Sequence, residues 1–362
     1  MDIAKIDKNF AKTKITETDV VWRNALDGEF DMRGVFFNED AGCYYRMDKA
    51  IADQVNFGVS GLAPCTAGGR LRFKTNSPYI AVRAKTMKLN MSWNQSLFGR
   101  CGFTVYANGL FDGRIVAQFS DWENAENGVM YYDDIYHTKE KGVYDVEICF
   151  PSYCEKIYSV EIGLKEGCDI FPATPYKYNE KPVVFYGSSI TQGGCASRAG
   201  NDYISLVCRW LDTDFWNLGF SGSAKGEPIM AEYVAAQKAS VFVIDYDHNA
   251  PTLEHLEKTH MPMYRTIRAK NPNTPIIFMS RPNFYYDVAN SAPRRDLIKA
   301  NYLTAKAEGD NNVYFLDGEL LFGKENWDAC TVDMCHPNDL GFYRMAKALY
   351  PILKQALETS VV

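Results

Sequence analysis

The sequence predicts an α/β protein in two parts: a doubly wound, flavodoxin-like parallel sheet over residues 176–362, preceded by an all-β, jelly-roll-like sandwich over residues 1–175. Three observations carry this prediction. Short segments of alternating apolar and polar residues, separated by turn chemistry, fill the first half. From residue 183 onward the pattern changes to unbroken apolar runs spaced by helical stretches. The chain also has 362 residues, more than one hydrophobic core usually serves.

Residues 1–40 carry little periodic signal beyond the apolar run at 20–22 and a turn at Asp27 and Gly28. At 70–74, Leu71 and Phe73 alternate with Arg70, Arg72 and Lys74, the period of a strand with one wet face. The alternation recurs at 79–84, where Ile80, Val82 and Ala84 share a side, and the intervening Asn76, Ser77 and Pro78 suggest that the two strands pair or neighbour each other. The run at 103–106 leads into Asn108 and Gly109, both tolerant of positive φ, which is a hairpin signal. Segments 144–150 and 158–164 alternate again, and the two prolines of 171–175 mark a linker.

Beyond the linker, 183–186, 214–218, 241–245, 276–279 and 313–316 read as strands covered on both faces. Helical patterns lie between and after them at 203–211, 228–238, 253–268, 294–307 and 340–357. In such a sheet, ligands sit outside the carboxyl ends of the strands, and each polar cluster considered below follows one of those ends.

Composition narrows the function. A hydrophobic content of 46% with 23% charged residues indicates a folded chain throughout. The net charge of -6, with neither half strongly basic, argues against a nucleic-acid surface. No run of about eighteen apolar residues is available to span a bilayer. The first ten residues lack the apolar core of a signal peptide, so the chain reads as cytoplasmic, as would one whose leader had been removed. Its ten cysteines are too sparse for a disulfide framework and are expected to be mostly reduced and buried. Cys330 and Cys335 bracket Asp333, but with no second Cys/His pair nearby their spacing does not make a zinc site, and no metal is expected.

Four clusters carry chemistry. The loop at 187–191 (GSSIT) is, taken alone, as consistent with a helix cap or anion-binding turn as with an exposed nucleophile. The glycines of 217–222 (NLGFSG) either admit a ligand to backbone amides or simply make a turn. At 245–249 (DYDHN), His248 suits a structural role better than that of a base, and Asn249 is the better hydrogen-bond donor. Asp333 and His336 supply what a serine nucleophile lacks: an imidazole to take its proton, and a carboxylate to hold that imidazole in the required tautomer.

In order and spacing these four clusters resemble the SGNH hydrolase family, also called GDSL-type esterases, over all of residues 176–362. The resemblance implies that Ser189 is the nucleophile, with Ser188 where the family usually has Asp, and that Asp333 and His336 complete a triad. It implies an oxyanion hole made by the amides of Ser189 and Gly222 and the side chain of Asn249, although the third family block survives only in that asparagine. Segments 66–73 (TAGGRLRF) and 193–198 (GGCASR) resemble two-domain members that carry an N-terminal β-sandwich. Those members imply a carbohydrate esterase that removes acetyl groups from plant polysaccharides or their oligosaccharides without a cofactor. Acyl transfer, or hydrolysis of another small acyl ester, uses the same triad. A catalytically inactive carbohydrate-binding protein is the alternative from another class. Trp93, Arg198 and His260 are candidates for substrate contact, the aromatic content of 14% fits sugar stacking, and a homodimer is a reasonable assembly.

Overall fold

The computed structural model describes residues 5–7, 14–88, 92–117, 119–178 and 181–360. Its C-terminal half is built on five parallel strands, in the spatial order Phe215–Gly219, Val183–Gly187, Val241–Asp245, Ile276–Met279 and Val313–Leu316. Numbered along the chain this order is 2-1-3-4-5, the flavodoxin-like order, with its switch point beside the strand Val183–Gly187. That strand is buried along its whole length, which is why its residues form an apolar run rather than an alternation. One face of the sheet packs Val184, Tyr186, Phe242 and Ile244 against helices Pro228–Ala235 and Leu253–Lys270. The other packs Val183, Phe185, Val241 and Val243 against Tyr203–Leu211 and Asp339–Ser360. Among the described residues, no helix is long and apolar enough to cross a membrane.

The N-terminal half contains two antiparallel sheets that share one core. Leu71, Phe73, Phe103, Val105, Val146 and Ile148 come from one sheet, and Ile80, Val82, Met130, Val160 and Ile162 from the other. The hairpin at Asn108 and Gly109 is formed, with φ of 49° and 78° and Phe103–Ala107 paired to Leu110–Ile115. The expected pairing across residues 76–78 is not. Arg70–Thr75 and Tyr79–Met87 lie in different sheets, so this turn is a corner that carries the chain from one sheet to the other. Ser77 fixes the corner: its Oγ donates to the Tyr79 carbonyl at 2.6 Å and accepts from the Lys165 amide at 3.1 Å.

Besides the single-turn helices Leu97–Cys101 and Phe119–Glu123, two adjacent short helices, Lys49–Val55 and Phe57–Leu62, depart from an all-β reading of the first half. Their N-caps Asp48 and Asn56 accept from the amides of Ile51 and Val59, and they bury Ala52 and Val59 against the parallel sheet rather than inside the sandwich. Arg46, fully buried beside them, donates to the carbonyls of Asn217, Gly219 and Leu62 and lies over the Phe220 ring. It thereby pins the end of the strand Phe215–Gly219. At the opposite end of that strand Arg70 reaches across from the sandwich to Asp214 at 2.5 Å, with both side chains buried.

Candidate active site

At the carboxyl end of the strand Val183–Gly187, the chain turns directly into the short helix Ser189–Gln192. A Cβ on Gly187 would stand 2.1 Å from Thr191 Oγ1 and 2.5 Å from the Asp245 carbonyl, so only glycine permits so tight an exit. Ser188 is the N-cap: its Oγ accepts from the Ile190 amide, while its own amide donates to Thr191 Oγ1, closing a capping box. Thr191 in turn donates to the buried Asp245 carboxylate, which also accepts from Tyr203 and is pushed up to about 7 by burial. Ser188 therefore shapes the turn. Ser189 stands at the first helical position, where its amide has no partner within the helix.

The turn at 333–336 brings the two other expected groups to this serine. Met334 adopts φ of 64°, and the buried Asn283 donates its side-chain amide to the Met334 carbonyl at 2.6 Å, holding the turn shut. Asp333 Oδ1 accepts from the amides of Cys335 and His336 at 3.1 and 2.7 Å. Its Oδ2 lies 2.8 Å from His336 Nδ1, and His336 Nε2 lies 3.0 Å from Ser189 Oγ. Burial works to raise the Asp333 carboxyl, but the His336 amide, the Asn94 side chain and the imidazole together hold it down to about 2. The neighbouring Cys335 thiol, working against burial and joined by Asp333, pushes the His336 imidazole up to about 9.

A base must be neutral to take a proton, so kcat/KM should climb as pH rises toward about 9. Cys335→Ala should move this limb to lower pH. A pH–rate profile checks both, and a wild-type limb at the ordinary histidine value of about 6.5 would show that the thiol does not act on His336.

The other expected residues fall into two groups. Asn249 sits beside the loop that follows the strand Phe215–Gly219, donating to the Phe220 carbonyl at 2.8 Å. Gly222, exposed in that loop with φ of 65°, has nothing within 4 Å of where a Cβ would stand. The loop is tied to the Ser189 helix by Gln192, whose side chain accepts from the Ser221 amide and donates to the Ser152 carbonyl of the sandwich half. Trp93 is 85% exposed, one residue from a side chain that touches Asp333.

Arg198 and His260 are placed otherwise than expected. Arg198 lies over the Phe111 ring of the sandwich and donates to Asn201, three residues along its own loop. His260 is 1% exposed, stacks on Tyr246 and meets the edge of Phe278. It is a core residue, placed by the inward face of its helix rather than at a pocket rim. His248 is driven down to about 3, by burial first and then by Arg281 and His336, and so is too weak a base to compete with His336 for a proton.

Asn94 and Asn283, which touch the turn at 333–336, were not identified from sequence; a lone asparagine in a polar loop has no periodic or motif signal. Tyr153 belongs with them, donating its hydroxyl to the Ser189 carbonyl at 3.1 Å. Among the described residues, one set of three side chains could converge on a metal: Cys195, Asp333 and His336, with ligand atoms within 4.8 Å of one another. Asp333 and His336 are already engaged with each other and with Ser189, and burial pushes the Cys195 thiol up to about 12, so a metal there would have to displace the relay and ionise the thiol. All ten cysteines are free.

Two family models match the chain. The model for the N-terminus of SGNH hydro-type esterases covers residues 20–170, and the GDSL-like lipase/acylhydrolase model covers residues 180–354. No curated protein matches significantly. Among solved structures, a protein from Bacteroides ovatus assigned as a GDSL-like lipase superposes with a TM-score of 0.80 at 26% identity, over 94% of this chain and 98% of that one. The salicylyl-acyltransferase SsfX3 from a tetracycline biosynthetic pathway superposes at 0.74 with 19% identity, over 92% and 96% of the two chains. A family two carbohydrate esterase from Cellvibrio japonicus gives 0.61 at 14% identity, over 94% and 98%. The last two share the fold.

Proposed function

Because this chain belongs to the GDSL-like lipase/acylhydrolase family through residues 180–354, and is an esterase on that ground, we propose that it removes O-acetyl groups from carbohydrate, with Ser189 as nucleophile. One observation carries the proposal: the unbroken relay from Ser189 Oγ through the His336 ring to Asp333, with contacts of 3.0 and 2.8 Å. In this reading His336 Nε2 takes the proton of Ser189 as Oγ attacks the acetyl carbonyl. Asp333 stabilises the imidazolium that results, and the amides of Ser189 and Gly222, with the free hydrogen of the Asn249 amide, receive the oxyanion. The imidazolium then protonates the departing sugar oxygen, which leaves as a hydroxyl. Water, deprotonated by the same ring, releases acetate and restores Ser189.

The substrate class rests on Trp93, a flat exposed face next in sequence to Asn94 on which a sugar ring can stack, and on the fold shared with carbohydrate esterases. Acyl transfer is the second reading. The salicylyl-acyltransferase shares this fold too, and only the final acceptor, an alcohol in place of water, separates the two reactions. The test is mass spectrometry of acetylated xylan, mannan and xyloglucan oligosaccharides incubated with wild type and Ser189→Ala, with and without an added alcohol acceptor. Serine-dependent loss of acetyl to water supports the esterase. Loss of acetyl from none of the oligosaccharides, while an activated acyl ester is cleaved, would remove carbohydrate as the substrate class.

A further inference from the structure

The Asp333 carboxylate accepts four hydrogen bonds. Three come from its own turn, the amides of Cys335 and His336 and the His336 ring, and the fourth comes from Asn94, which donates from Nδ2 to Oδ2 at 2.9 Å across 239 residues of sequence. The orientation of that amide is not arbitrary. Ser92 donates its hydroxyl to Asn94 Oδ1 at 2.7 Å, which leaves the NH2 end to face the carboxylate.

The loop that carries Asn94 is anchored on both sides. On the sandwich side, Cys101 is fully buried and its carbonyl accepts the Tyr132 hydroxyl at 2.7 Å, fixing the end of the short helix Leu97–Cys101. Ser96 caps that helix through the Gly99 amide at 3.0 Å and donates to the Ser197 carbonyl at 3.3 Å. Gly99 lies so close to the loop after Ser189 that a Cβ there would stand 2.4 Å from the Ala196 carbonyl. The chain of contacts therefore runs from the sandwich core, through 101, 99 and 96, to Asn94 and the triad carboxylate.

We propose that Asn94 is a positioning residue of the reaction, through which the N-terminal sandwich completes the active site by orienting Asp333. The proposal rests on the triad reading above. A donor on Oδ2 restricts rotation of the carboxylate about its own bond, so that the other face of the same oxygen stays aimed at His336 Nδ1. Without it, Oδ2 is held by the imidazole alone and the ring that must face Ser189 gains freedom. The sandwich is then a working part of the catalyst rather than a tethered binding module.

The test compares Asn94→Ala and Asn94→Asp with wild type on a small activated acetyl ester, with thermal melts as the folding control. Asn94→Ala is expected to lose about tenfold in kcat with KM unchanged, the scale of one hydrogen bond to a charged group. Asn94→Asp places a second carboxylate against Asp333 and should shift the acid limb of kcat/KM upward by about one pH unit, because added negative charge favours the imidazolium. A loop that merely packs would not move that limb. Should Asn94→Ala fail to fold, Ser92→Ala carries the same readout: lower kcat at wild-type KM supports the role, and wild-type kcat overturns it. Ser189→Ala run in parallel separates the two levels. If Ser189→Ala stays active, the triad reading falls and this inference with it. If it is dead while the Asn94 variants match wild type in kcat and pH limb, only the role of Asn94 is overturned.

Discussion

Ser189→Ala and His336→Ala should each lower kcat for an activated acetyl ester by on the order of 10⁵-fold, and the double variant should be no worse than either single one. The two side chains perform one step: the hydroxyl attacks only as its proton leaves, and the ring has nothing to deprotonate once the hydroxyl is gone. The contact of 3.0 Å between Nε2 and Oγ places both partners ready for that transfer. Asp333→Asn should cost about 10⁴-fold, because an amide can donate to Nδ1 and so favours the wrong tautomer. Substrate binding should survive in all of these, since the backbone amides proposed to hold the oxyanion are untouched. Single-turnover kinetics on the three variants and the double checks the prediction, and additive losses would show that Ser189 and His336 do not act as a unit.

The largest effect on stability is expected far from this chemistry, at Asp214. Its carboxylate accepts from Arg70 Nη2 at 2.5 Å and from its own chain's Phe215 amide at 2.8 Å, and Arg33 lies 3.4 Å away. Arg70 is 1% exposed, donates to the carbonyls of Gly68 and Phe215, and stacks 3.6 Å above the Phe215 ring. Asp214→Ala would strand this guanidinium without its counter-charge, at a cost of about 3–5 kcal/mol. Because the pair links the sandwich to the start of the strand Phe215–Gly219, the loss should appear in the cooperative unfolding of the whole chain. Urea denaturation at neutral pH measures it. A loss below about 1 kcal/mol, the scale of a surface ion pair, would mean the site admits water or relaxes around the gap.

What could be read from sequence is what local physics decides. The helix Tyr203–Leu211 was legible to the residue because its apolar face is periodic, and the structure adds Asp202 as its cap. The hairpin at Asn108 and Gly109 was legible because both residues take positive φ. Unbroken apolar runs identified the parallel strands, and the residue order of Ser189, Gly222, Asn249, Asp333 and His336 identified the candidate site. What could not be read depends on partners distant in sequence. The alternation around residues 76–78 is the same whether the strands pair or part, and only the bonds from Ser77 to Tyr79 and Lys165 decide it. The helices at 49–62 are too short for periodicity to show, and draw their stability from two caps and from burial against the other half. His260 follows the same rule: a histidine on a helix is polar by type, and only the rings of Tyr246 and Phe278 make it a core residue. Asn94 is the strongest case, because its meaning lies entirely in a carboxylate 239 residues away.

The central claim is that Ser189 carries the acyl group. Rapid-quench mass spectrometry of wild type mixed with an activated acetyl ester tests it most directly. An acetyl adduct on the peptide containing Ser189, formed within the first turnover, lost with time and absent from Ser189→Ala, is the predicted result. Steady release of acetate with no adduct on that peptide, at a rate that Ser189→Ala leaves unchanged, would contradict it.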